Sequence, residues 1–287
     1  MANKSLSKLK DEMIFNQGLT KLVDVMKGIS AAQYFVMEHK KLDLEKYSAA
    51  LDELFQFYDF RDSDHPFLAP QSEKKLICFV ATDSGFLGGL NMKVATAAMA
   101  HETPDSHYVV LGERGVNFLK EMNRTCDAFP GINPDDTRFE LAEKFIRHIL
   151  KSVWEKNIGR VILIHPYPVS FTSQRVEVLN LLPCPMFYKD KPEILDAQKQ
   201  AKNTILDSKP DGVIEYLTLF WMRKRINQIF EDSKMAEYGA RTMHLEESYS
   251  TLTKLDKQLR LQFFKAKREK IDQSLRETFS AKLVKRE

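Results

Sequence analysis

The distribution of proline does most to limit what this 287-residue chain can fold into. All 11 prolines lie between Pro66 and Pro210, together with seven of the 11 glycines. Before that window only Gly18 and Gly28 interrupt the chain, and after it only Gly212 and Gly239. Proline removes a backbone donor and clashes with the preceding helical turn, so long proline-free ends can each form one uninterrupted helix. The punctuated middle must then be a compact domain of short elements. This predicts a helical segment over 1–65, a central domain over 66–210 and a second, longer helical segment over 211–287.

Apolar spacing supports the helical ends. Leu6, Leu9, Met13, Leu19, Leu22, Met26, Ile29 and Val36 follow three- and four-residue steps with one omission. Leu245, Tyr249, Leu252, Leu255, Leu259, Phe263 and Ala266 do the same, and the pattern resumes after a slip at Ile271, Leu275 and Phe279. Stripes this narrow are coiled-coil seams, since a helix lying on a globular core shows a wider apolar face. A helix from Val213 to Leu283 would run roughly 105 Å at 1.5 Å per residue, so part of it must project from a domain of this size. The N-terminal helix is its antiparallel partner.

The middle alternates in type. KLICFVAT (75–82), HYVVLG (107–112), RVILIHP (160–166) and RVEVLNLLP (175–183) read as strands. GGLNMKVATAAMAHE, ERGVNFLKEMN and RFELAEKFIRHILKSVWEKN read as helices, the last with Phe139, Leu141, Phe145, Ile149 and Val153 as its apolar positions. Strands alternating with helices on short connections imply a largely parallel, Rossmann-like α/β sheet. Residues 190–211 read as a polar, exposed connection into the last helix.

The composition excludes several classes. At 43% hydrophobic and 29% charged the chain is globular, and no run approaches the roughly 20 apolar residues of a membrane span. Direct membrane insertion is not expected, and the N-terminus lacks a signal-peptide apolar region. Cys78, Cys126 and Cys184 form no CxxC pair, the seven histidines have no ligand-like spacing, and a net charge of +3 does not suggest a nucleic-acid partner. No metal or cofactor is implied. TDSGFLGGLN (82–91), with Gly85, Gly88, Gly89 and Asn91, stands where a phosphate loop would stand but matches neither the P-loop nor GxGxxG, so a tight structural turn is the better reading. His165 reads as a packed or capping residue, and no nucleophilic constellation is visible. One asymmetry remains. Lys254 to Glu287 holds 11 Lys/Arg against 5 Asp/Glu, a basic helix end suited to an acidic partner surface.

Four segments, in order, resemble the gamma subunit of F-type ATP synthases. LTKLVDVMKGISAAQ (19–33) is similar to that family's first-helix motif, with Met26 and Lys27 at its Met-Lys pair. ATDSGFLGGLN is similar to its glycine turn, with Ser84 in place of an arginine and Leu87 in place of a cysteine. VSFTSQRVEVLNLLP (169–183) resembles the strand pair before its return helix. SKMAEYGARTM matches its Ser-x-x-x-Glu-x-x-Ala-Arg-x-Met segment at Ser233, Glu237, Ala240, Arg241 and Met243. Beyond Met243 the family's Ala-Thr-x-Asn-Ala is replaced by HLEESYSTL. Of the C-terminal signature only Ile271, Leu275, Glu277 and Ser280 match, which points to a divergent or alternate branch.

The resemblance implies a mechanical role. The coiled coil would turn inside a head of alternating alpha and beta subunits, and the α/β domain would rest on the c-ring and bind the epsilon subunit. The chain would be a non-catalytic rotor shaft, peripheral on the cytoplasmic face of the cell membrane. Lys267 and Arg268 would meet acidic loops of beta, with Met26 and Lys27 on the opposing helix. Two other readings stay open. One is a gamma-like paralogue acting as a coiled-coil adaptor in another ATPase-like assembly. The other is a small α/β enzyme, which rests on the glycine turn alone.

Overall fold

The computed structural model describes residues 6–44, 64–133, 135, 137–185 and 209–284. In chain order these form α1 (Leu6–Leu44), β1 (Lys75–Val80), α2 (Leu90–Met99), β2 (His107–Leu111), α3 (Glu113–Glu121), β3 (Cys126–Phe129), α4 (Thr137–Glu155), β4 (Arg160–Pro168), β5 (Gln174–Leu182) and α5 (Pro210–Val284). The proline-free C-terminal segment is thus one helix of 75 residues, and the N-terminal helix has 39. Of the connection expected over 190–211, residues 190–208 lie outside the described residues, and the end of it belongs to α5. Two compact units result, residues 31–241 and residues 1–30 with 242–287.

The larger unit is built on a five-stranded sheet of order β3-β2-β1-β4-β5. The first four are mutually parallel, and β5 runs antiparallel to β4. The central strands are apolar at successive positions because both faces are covered, as parallel strands require. Leu76, Cys78 and Val80 of β1 face one core, with Phe145, Ile146 and Ile149 of α4 and Ile214, Met222, Ile226 and Phe230 of α5. Ile77 and Phe79 face the other, with Val94, Ala95 and Ala98 of α2 and Leu119 of α3. Asp135 begins α4 by accepting from the Thr137 amide at 3.2 Å, which satisfies one of the orphan donors at a helix start. Buried apolar residues at Leu141, Phe145, Ile149 and Val153 then hold α4 to the sheet, whereas Phe139 is exposed beneath the Arg138 guanidinium.

Strand β3 was not expected from the sequence. Its four residues, Cys-Asp-Ala-Phe, carry no apolar run, and pairing with β2 rather than intrinsic pattern makes them a strand. At the other edge the β4–β5 turn packs against α5. A Cβ on Gly239 would stand 2.8 Å from the Phe171 carbonyl oxygen, so only glycine lets the turn approach so closely. Tyr34 and Met37 of α1, Met235 and Tyr238 of α5, and Phe171 complete a small apolar cluster there.

The smaller unit is an antiparallel coiled coil of residues 6–30 and 242–284. Asn16 donates to the Leu252 carbonyl at 3.1 Å, Gln17 to Asp256 at 3.3 Å, and Lys27 pairs with Glu246 at 2.9 Å. On α5 the seam is Thr242, Leu245, Tyr249, Leu252, Asp256, Leu259, Phe263 and Ala266, with Asp256 taking the place expected for Leu255. On α1 it departs further. The heptad positions are Leu6, Leu9, Met13, Asn16, Thr20, Val23, Lys27 and Ser30, flanked by half-buried Glu12, Gln17, Leu19 and Met26. The expected seam residues Leu22 and Ile29 are exposed instead. Periodicity follows apolar residues, and this seam holds its register with polar ones.

Candidate functional site

The glycine turn and the segment 233–241 of α5 meet in one site of the larger unit. The turn leaves β1 at Ala81 and opens α2. Its shape needs left-handed backbone at Phe86 (φ 63°), Gly88 (56°) and Gly89 (85°), the last immediately before α2. The Thr82 hydroxyl donates to the Ser84 carbonyl at 2.7 Å, and the Asn91 amide donates to the Thr82 oxygen at 2.9 Å, which ties both ends of the turn together. Leu87 and Leu90 then bury against Ala240 of α5.

Beside that contact lies a polar clasp. Glu237, itself buried, receives Lys234 at 2.8 Å and Arg241 at 2.5 Å. The Ser84 hydroxyl donates to Glu237 Oε1 at 3.2 Å and accepts from the Arg241 guanidinium. A Cβ on Gly85, the next residue of the turn, would meet the Arg114 guanidinium at 3.4 Å, and the Lys234 ammonium lies 5.3 Å from the Tyr238 ring centre. One carboxylate thus neutralises one of two cations and is shared with a hydroxyl from another element. A buried charge is tolerated only when paired and hydrogen-bonded in this way. The arrangement suits a latch between the turn and α5. Ser233 is buried on the same helix but outside the clasp, and Met243, in the smaller unit, is exposed.

The crevice where open α/β sheets bind phosphates, at the carboxyl ends of the parallel strands, is filled by the chain itself. Asp83 Oδ1 accepts from the Glu113 amide at 2.8 Å, and both carboxylate oxygens accept from the Gly131 amide at 3.1 and 3.0 Å. A Cβ on Gly131 would stand 2.6 Å from Asp83 Oδ2, so the bare glycine makes the fit possible. The N-terminus of α3, a natural anion site, is satisfied by this carboxylate. These two amides are thus already taken by the chain's own carboxylate, whereas the glycine turn itself opens α2. Among the described residues no group of three His, Cys, Asp or Glu side chains could hold a metal ion. His165 is a core residue: it is buried in β4 with Nδ1 3.2 Å from the Pro166 carbonyl oxygen, and burial lowers its pKa to about 4.

In the smaller unit Lys27 is engaged with Glu246 at 2.9 Å and Asp24 at 3.0 Å, and its ammonium lies 4.5 Å from the Tyr249 ring centre. The hydrogen bond to Glu246, with that to Asp24, raises its pKa and keeps it charged. Met26 beside it is half-buried. Lys267 and Arg268 are exposed, in a stretch of α5 that is exposed from 267 to 280. The segment that pairs with Lys27 begins at Glu246, about 30 Å away along the helix at 1.5 Å per residue. The structure therefore does not bring Met26 and Lys27 together with Lys267 and Arg268.

Sequence reasoning missed Asp83 and Lys234. Lys234–Glu237 and Glu237–Arg241 stand at i,i+3 and i,i+4, the spacing at which charges on a helix meet, and that signal was readable. Nothing local announces Asp83, because its partners are backbone amides 30 and 48 residues away.

A family model described as ATP synthase matches residues 5–282. The chain belongs to that family. Its relatives there are gamma chains: that of Clostridium acetobutylicum is 23% identical over 268 residues, covering 90% of both chains. The ATP synthase gamma chain of Bdellovibrio bacteriovorus is 21% identical over 286 residues, covering 96% of this chain and 97% of its own. The same fold is found in a chain from the rotor of the Euglena gracilis mitochondrial ATP synthase, with a TM-score of 0.68 at 14% identity over 93% of this chain and 98% of that one. A second chain of that synthase superposes with a TM-score of 0.76 at 15% identity, covering 97% of this chain and 94% of its own.

Proposed function

We infer that the chain is the central-stalk rotor subunit of a rotary ATP synthase, coupling ion flow through a membrane ring to ATP synthesis or hydrolysis in a head of alpha and beta subunits. The observation that carries this reading is a family match running unbroken through both the antiparallel coil and the sheet unit. The chain's own part is mechanical. An asymmetric shaft biases each beta subunit in turn through contacts that differ between its states, and reciprocal coupling follows. The α/β unit contacts the c-ring and the epsilon subunit. No helix among the described residues is long and apolar enough to cross a membrane; the rotor reading itself puts the chain at the cytoplasmic face as a peripheral subunit. The exposed, basic end of α5, with Lys267 and Arg268, is the element offered to acidic loops of beta. Lys27, already shared between two carboxylates, is a contact the head would have to compete for.

Co-expression with the alpha and beta subunits of the same organism tests the reading. One complex with ATPase activity, altered when residues 260–287 are removed, supports it. Assembly of alpha and beta that leaves this chain out overturns it, and capture of the chain by a different ATPase-like assembly establishes the adaptor alternative.

A further inference from the structure

Lys27 stands at a seam position of α1 where an apolar side chain would pack better, yet its ammonium is held from three sides. Glu246 of α5 accepts at 2.9 Å, Asp24 of its own helix accepts at 3.0 Å, and the Tyr249 ring centre lies 4.5 Å away. Only 23% of the Lys27 side chain is exposed, against 55% for Glu246, so the cation lies largely between the helices with its partner at the rim. Two of the three partners, Glu246 and Tyr249, stand three residues apart on α5. Gripping one helix at two points fixes both its axial register and its rotation about its own axis, which a single contact leaves free. Around Lys27 the seam is thin in apolar atoms, since Thr20, Ser30 and Thr242 also occupy it. Apolar burial is non-directional, whereas a charge-assisted hydrogen bond holds one geometry. Nor does α5 offer a substitute partner in a shifted register. One heptad either way from Glu246 stand Gly239 and Thr253, neither of them an acid.

We propose that Lys27 is a positioning residue of the coupling machinery, a bolt that fixes α5 against α1 in register and rotation so that the two helices turn as one body under load. The proposal rests on the rotor reading and gives Lys27 its partner inside the shaft rather than on the head. A part-exposed ion pair contributes little stability, and a lysine in a coiled-coil seam costs some. What it contributes is geometric, because a polar residue at a seam position is the best-attested device for specifying one register. The hydrogen bonds to Glu246 and Asp24 raise the Lys27 pKa, which keeps the bolt charged at neutral pH.

Charge reversal separates an internal bolt from a contact with the head. The reference is the membrane-bound complex carrying Asp24→Asn, which removes the like charge that a reversal at position 27 would meet. Against it, Lys27→Glu and Glu246→Lys should each lower ATP-driven ion pumping per ATP hydrolysed by roughly fivefold, and the two together should restore it to within about twofold. A double reversal as impaired as Lys27→Glu alone would put the partner of Lys27 outside the chain and overturn the proposal, as would single reversals that leave pumping intact. Amide hydrogen exchange over residues 20–30 of the purified full chain gives a second reading that needs no other subunit. It should quicken about fivefold in each single reversal and return in the double, and unaltered exchange overturns the bolt. If exchange follows this pattern but the chain enters no complex, the bolt stands as a feature of the coil and the rotor reading falls.

Discussion

At the scale of single residues, the clasp and the buried histidine make separable predictions. Glu237→Gln leaves Lys234 and Arg241 facing each other in a half-buried site without their anion, and removing one partner of a buried pair costs about 3 kcal/mol. Ser84→Ala removes only a neutral partner and costs about 1 kcal/mol. Urea unfolding of the full chain should therefore rank the two variants in that order, and equal losses would show that the clasp carries no charge-specific stability. His165 gives a pH signature. Burial, against weaker opposing effects from the Pro166 carbonyl and Glu177, lowers its pKa from 6.5 to about 4. Between those values the unfolded chain takes up a proton that the folded one refuses, so stability falls as pH drops from about 6.5 towards 4 and is fully present above that window. His165→Asn should flatten this part of the stability–pH profile, and an unchanged slope would assign it to other groups. Asp127 works in the same direction at lower pH. Burial alone would raise its pKa, but Lys156 and His148 override it and hold the carboxyl below its ordinary value.

At the scale of elements, the contact between the β4–β5 turn and α5 depends on one absent side chain. Gly239→Ala places a methyl group 2.8 Å from both the Phe171 carbonyl oxygen and Gln174 Nε2, and the turn must lift away from Tyr34 and Tyr238. A loss of about 2 kcal/mol, with altered near-ultraviolet circular dichroism from the tyrosines, is expected. Wild-type stability in that variant would mean the turn yields freely. The elements themselves were largely legible. Proline placement marked the start of α5, which opens at Pro210, because one residue type blocks helix wherever it falls in an interior. Residues 45–63 of the expected first helical segment lie outside the described residues. The buried strands β1, β2 and β4 announced themselves as β-branched runs. The α5 seam was readable as far as Ala266 except at Asp256, whose charge is stabilised there by Gln17 and Arg260, but its expected continuation at Ile271, Leu275 and Phe279 is exposed. The α1 seam was readable at Leu6, Leu9 and Met13, with Leu19 and Met26 half-buried beside it, but elsewhere Asn16, Thr20, Lys27 and Ser30 face inward while Leu22 and Ile29 face out. The clasp was visible as two motifs, but only the fold could show that Ser84 and Arg241 meet across 157 residues.

For the whole molecule, the two units differ in what holds them. The sheet unit has apolar cores on both faces of its sheet, with Arg223–Glu143 and Arg138–Glu231 tying α4 to α5. The coil unit relies on a seam in which polar residues fix register at a cost in stability. Amide hydrogen exchange should accordingly be faster over residues 6–30 than over β1 and β4 in the isolated chain, and the reverse order would refute this ranking. In the assembled complex, Lys267→Glu with Arg268→Glu should weaken coupling roughly fivefold, equivalent to about 1 kcal/mol, while exchange in the sheet unit stays unchanged. Asp83 adds a consequence of another kind. An anion offered at that end of the sheet would have to displace the chain's own carboxylate from the Glu113 and Gly131 amides. One side chain thereby ties together the loops that follow β1, β2 and β3, so that the carboxyl end of the sheet is braced from within by a single residue.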